Sequence, residues 1–104
     1  MLVIPKQHVE LIYELDDESA ARLFQTVVRV ARAIRASLRP TGLNVSQSNG
    51  PAAGQEVPHL HMHLWPREMG DGLLRFYTER PGNSSRAALD ALAARIRTGL
   101  ASQE

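Results

Sequence analysis

The sequence predicts an α+β fold in one domain, with an antiparallel sheet packed against a long helix and a further helix at the C-terminus. Three observations carry this. From Asp16 to Leu38 the apolar residues Leu23, Val27, Val30, Ala31, Ile34 and Leu38 recur at spacings of three and four, which is helical periodicity. Residues 42–49, GLNVSQSN, and 58–67, PHLHMHLWPR, alternate with period two, as strands do. A chain of 104 residues has room for one core and not for two, so these elements belong together.

Taken in order, residues 2–5, LVIP, read as a short strand stopped at Pro5 before a turn. Asp16 and Asp17 stand where a helix cap and partners for the helix dipole are needed. The same helix carries Arg22, Arg29, Arg32, Arg35 and Arg39. These are expected on a solvated outer face, because Arg is a good helix former and no aromatic residues interleave with it as in nucleic-acid grooves. Pro40, Thr41 and Gly42 end the helix. The next strand sets Leu43, Val45 and Gln47 against Asn44, Ser46 and Ser48, and NGPAAGQEVP then makes a loop of small and turn-forming residues. After Arg67, EMGDG is turn-like and LLRFYTER is expected as an edge strand or extended arm. Pro81 and Gly82 break it, and Asn83 or Ser84 can cap a last amphipathic helix built on Leu89, Leu92, Ala93, Ile96 and Leu100. Residues 1–104 thus form a single domain, with a motif-bearing core over 1–70 and an arm and helix over 71–104.

Composition narrows the function. A net charge of +1 provides no field for holding a long polyanion, so no long nucleic acid is expected as a partner, whereas one local site can still bind a small anion. An apolar fraction of 43% with no run near the roughly 18 residues of a membrane span predicts a protein that does not enter a membrane. There is no cysteine, which removes disulfides, thiolate nucleophiles and zinc sites that use sulfur. MLVIPKQH lacks the features of a secretory signal, and a cytoplasmic location is expected.

Three of the four histidines lie in PHLHMHLWPR. In a strand, His59, His61 and His63 share one face, while Leu60, Met62 and Leu64 share the other and can pack on a core. Neighbours in such a row stand about 6.6 Å apart, so one small group can meet more than one imidazole. Trp65 falls on the histidine side by parity, where it can cover a sheet edge or a contact between subunits. Two chemistries use a histidine row: zinc coordination, and attack of one imidazole on phosphorus while its neighbours fix the tautomer or bind the oxyanion. The loop NGPAAGQ favours the second, because small residues let backbone N–H groups approach an anion and Gln55 can reach a bridging oxygen.

The ordered set PKQH, then GLN, then NGPAAGQEVPHLHMH, then PR resembles the histidine triad, or HIT, family of nucleotide hydrolases and transferases over roughly residues 2–70. The resemblance implies a HIT-like fold and a mechanism that the residues alone leave open. His61 would be the nucleophile, with Nε2 attacking the α-phosphate of a nucleotide while the backbone carbonyl of His59 accepts Nδ1–H. His63 would contact the phosphate and leaving group, His59 would orient the site, and Gln55 would bond near the scissile bridge. Water would then release a nucleoside monophosphate, and no cofactor would be required. Asn49 and Gly54 join Gln55 as expected phosphate-binding residues, and His8 and Asn44 as residues lining the nucleotide pocket. The substrate would be of purine, AMP type, and a homodimer is expected.

The sequence also departs from the family pattern. Relatives carry a segment ahead of the LVIP strand that contributes base and ribose contacts, so a truncated frame, or cover from another subunit, is expected. Ser48 stands where many relatives have Asn, and the zinc-binding cysteines of some bacterial relatives are absent, so no structural metal is expected. Two rival readings are a metal-binding protein using His59, His61 and His63, and a nucleotide-binding module made inactive by the missing segment.

Overall fold

The computed structural model describes residues 1–72 and 85–101. Its elements are β1 (Leu2–Val3), α1 (Asp17–Leu38), β2 (Gly42–Ser46), β3 (Met62–Arg67) and α2 (Arg86–Ala101), with 3₁₀ turns at Ile12–Glu14 and Pro51–Ala53. The three strands form one antiparallel sheet in the order β1-β3-β2. His63 on the central strand faces Leu2 on one side and Ser46 on the other, and Trp65 faces Asn44. The fold is therefore the predicted α+β arrangement of an antiparallel sheet and two helices.

Helix α1 starts where its cap chemistry allows. Asp16 accepts a hydrogen bond from the Ser19 backbone N–H at 2.7 Å, which satisfies one of the donors that a helix start leaves open. The Ser19 hydroxyl donates to the other carboxylate oxygen at 3.0 Å. At the far end Arg39 takes a left-handed conformation with φ of 46°, its N–H donates to the Arg35 carbonyl, and Pro40 prevents continuation. The helix buries Val27, Val30, Ala33 and Ile34, and these meet Val3, Leu64 and Ile96 in the core. Leu60 is also fully buried. Burying an aliphatic side chain of this size contributes about 1.5–3 kcal/mol, so Leu60 and Leu64 strongly fix which way the histidine row faces. The five arginines of the helix and its end are exposed, and Arg22 pairs with Glu18 at 3.5 Å across one turn.

Several boundaries differ from expectation. β1 ends at Val3 rather than Pro5, and β2 ends at Ser46, beyond which the side chains of Gln47 and Asn49 bond each other instead of continuing a ladder. β3 begins only at Met62, because the N–H of Leu60 donates to the carbonyl of Val9 at 2.7 Å, outside the sheet. In α2, Leu89 and Leu92 are 48% and 38% exposed, whereas Ile96 and Gly99 are buried. The contact between helices lies in the second half of α2, where Ser37 donates to the Arg95 carbonyl at 2.8 Å and Arg95 donates back to the Ser37 carbonyl at 2.6 Å. The expected arm over 73–80, the break at Pro81 and Gly82, and a cap from Asn83 or Ser84 lie outside the described residues. Ser85 accepts from the Ala88 N–H at 3.1 Å, a capping bond that sequence reading did not place there. Among the described residues, no helix is long and apolar enough to cross a membrane.

Candidate active site

The alternation of PHLHMHLWPR survives although its first half is not a paired strand. Leu60 and Leu64 are 0% and 1% exposed, and His59, His61 and His63 are all half-buried on the other side. The row is nevertheless not uniform. His61 and His63 lie with ring centres 4.8 Å apart and nearly perpendicular, closer than the backbone repeat suggests. His63 in turn stacks on Trp65, with centres 5.1 Å apart and planes at 25°. His59 turns away to pair with the exposed His8 at 5.7 Å, and one of its ring nitrogens, Nε2, lies 3.2 Å from the Pro5 carbonyl. The site thus contains a His61–His63–Trp65 group beside a His8–His59 pair. Among the described residues no three His, Asp or Glu side chains are placed to hold a metal ion.

The orientation of His61 is set by one bond. Its Nδ1 lies 2.7 Å from the His59 carbonyl oxygen. A carbonyl only accepts, so the hydrogen sits on Nδ1, and in the neutral ring Nε2 keeps its lone pair. That is the tautomer a nucleophile needs. For His63, burial is the main cause holding its pKa below the ordinary histidine value, and the neighbouring His61 adds to it.

The loop before the row is built differently from an open cradle of amides. Gly50 and Gly54 both have positive φ, 87° and 92°, which lets the chain close a tight 3₁₀ turn between them. Inside it the N–H groups of Ala53 and Gln55 donate to the Gly50 carbonyl, and that of Gly54 donates to Pro51. Gln55 accepts from the Gly50 N–H at 2.7 Å and donates to the carbonyls of Glu10 at 2.9 Å and Val57 at 3.1 Å. Asn49 accepts from the Ile12 N–H at 2.8 Å. Gln55 and Asn49 therefore fasten the loop to residues 10–12, and Val9 holds Leu60 in the same way. The amide of Asn44 is engaged elsewhere, accepting from Arg67 at 2.8 Å, and Arg67 forks onto Asp71.

Sequence reasoning missed these long-range braces. Nothing in the spacing of QHVELI marks its backbone as the anchor of a loop some 40 residues later. It also left open the place of Trp65, whose indole N–H donates to the Ser46 hydroxyl at 3.2 Å. Period-two parity had put the ring on the correct face without specifying a partner.

A small α+β domain whose central strand ends a histidine row, with the middle imidazole held as the Nδ1–H tautomer, defines a histidine-triad type of protein. The HIT domain model matches residues 1–70, and the chain belongs to that family. It is 53% identical over 72 residues to the protein named hit of Bacillus subtilis, an alignment spanning 68% of this chain and 50% of that one. It is 44% identical over 66 residues to the adenosine 5'-monophosphoramidase hnt1 of Schizosaccharomyces pombe, spanning 64% of this chain and 47% of that one. Among solved structures, a hypothetical histidine triad nucleotide-binding protein of Sulfolobus tokodaii superposes with a TM-score of 0.84 at 31% identity, covering 97% of this chain and 68% of that one. The chain spans about half the length of the curated relatives it matches.

Proposed function

We propose that this protein is a nucleotide-binding hydrolase or transferase that cleaves a phosphoramidate or phosphoanhydride at the α-phosphate. The observation that carries this reading is the 2.7 Å bond between His61 Nδ1 and the His59 carbonyl, which leaves Nε2 as the free nucleophile. Nε2 attacks the α-phosphorus and forms a P–N bond as the bond from phosphorus to the amine or phosphate leaving group breaks. Water then cleaves the P–N bond, releasing a nucleoside monophosphate and the free imidazole. His63, 4.8 Å from His61 between ring centres, contacts the phosphate and leaving group, and His59 orients His61 through its carbonyl. No cofactor is assigned to these steps.

An AMP-type phosphoramidate is the favoured substrate, a choice supported by the likeness to an adenosine 5'-monophosphoramidase. Gln55, Asn49 and Gly54 act on the phosphate mainly by shaping the loop beside it, through hydrogen bonds to other residues of the chain. His8 bears on the site through His59. The protein is proposed to work as a homodimer: among the described residues β1 and β2 each pair on one side only, and Phe24 and Val45 are 62% and 44% exposed.

Turnover of an adenosine phosphoramidate tests the reading. The parent protein is expected to release AMP, and His61→Asn to lose at least about a thousandfold in kcat with its fold intact, as expected when a covalent nucleophile is removed. Equal rates in the two proteins would overturn the assignment. AMP binding by the parent without any turnover would leave a nucleotide-binding module.

A further inference from the structure

Trp65 is the only tryptophan in the chain, and it lies on the outer face of the sheet next to the imidazole assigned to the phosphate. Two contacts fix the arrangement. The indole N–H donates to the Ser46 hydroxyl on β2 at 3.2 Å, which holds the ring across the strand pair. Its face then stacks on His63, with 5.1 Å between centres and 25° between planes. This is an offset stack within the distance over which an indole face attracts a cation. His63 is thereby placed between two rings, flat against Trp65 and edge-on to His61.

We propose that Trp65 is a positioning residue for His63: the indole, pinned by Ser46, sets the angle of the imidazole towards His61 and stabilises its positive charge when it meets a phosphate. The function of that charge rests on the reading in the preceding section. The stack itself does not.

The other surroundings of His63 oppose its charge. Burial is the main influence favouring the neutral ring, and positive charge arising on the neighbouring His61 or on the Met1 amino group acts in the same direction. The residue opposite on β2 is Ser46, which does not titrate in this range, and the residue opposite on β1 is Leu2. The indole face is the contact that can offset these effects without placing a fixed anion in a site intended for phosphate. A carboxylate in its place would repel the substrate.

Fluorinated tryptophan provides the test, since it withdraws electron density from the ring face and preserves shape and burial. With one tryptophan in the chain, uniform incorporation of mono-, di- and trifluorinated forms alters this position alone. The imidazole resonances of the four histidines are followed by NMR against pH, with His63 assigned by its loss in His63→Asn. The His63 midpoint is expected to fall progressively along the series, by about 0.5 pH unit in total, the size of an exposed cation–π contact. Ser46→Ala, which removes the hydrogen bond from the indole to β2, is expected to shift the midpoint in the same direction. A midpoint that stays constant or rises with fluorination would overturn the proposal. No substrate enters this titration, so its outcome is independent of whether the protein turns over a phosphoramidate.

Discussion

Gln55 uses its side-chain amide in three directions, towards Gly50, Glu10 and Val57, and so converts a flexible loop into a fixed neighbour of the histidine row. Net contributions of about 0.5–1.5 kcal/mol per intramolecular hydrogen bond, reduced where water can replace the partner, put the cost of Gln55→Ala at about 1–2 kcal/mol. Urea unfolding of the two proteins checks this, and an unchanged midpoint would show the brace to be idle. At this scale the sequence was legible where parity governs. The placement of Leu60 and Leu64 inwards and the histidines outwards follows from alternation alone. The bond from His61 to the His59 carbonyl was anticipated only through resemblance, because period-two spacing does not specify which backbone acceptor a ring will find. The inward turn of the loop amides was not legible, since it depends on the φ values at Gly50 and Gly54 and on anchors in residues 10–12.

Among the elements, α1 was read almost to the residue because its signals are local: the Asp16 cap, the i,i+3 and i,i+4 apolar stripe and the Pro40 stop. β3 was read too long, because an extended lead-in and a paired strand share the same alternation and only the ladder separates them. In α2 the expected stripe of Leu89, Leu92, Ala93, Ile96 and Leu100 holds in its second half, where Ile96 is buried and Leu100 packs on the core, whereas Leu89 and Leu92 are exposed and the apolar spacing gave no sign of Gly99. Gly99 sits where a Cβ would lie 2.5 Å from the Ser37 hydroxyl and 2.8 Å from the Ala33 carbonyl. The carbonyl belongs to the backbone of a core helix and cannot yield as a side chain could. Gly99→Ala is therefore expected to destabilise by about 1–3 kcal/mol through overpacking, even though alanine is the better helix former. Thermal unfolding measures the net effect, and a rise in Tm would mean that α2 can move off α1 freely.

At the scale of the molecule, the three strands, braced loop and two helices of the described residues hold the histidine row with its apolar side on the core and its imidazoles outward. The exposed apolar residues Phe24 and Val45, and strands paired on one side among the described residues, supply the physical motive for self-association. Light scattering at micromolar concentration is expected to report twice the chain mass, and a clean monomer would remove the dimer from the account. The central claim is narrower: His61 Nε2 forms a covalent bond to phosphorus. Intact-mass spectrometry of the protein mixed rapidly with an adenosine phosphoramidate and quenched in base measures it directly. The account predicts a transient species heavier by one adenylyl group, mapped by fragmentation to His61 and absent in His61→Asn. AMP release that proceeds with no adduct at any quench time, or an adduct that persists in His61→Asn, would contradict it.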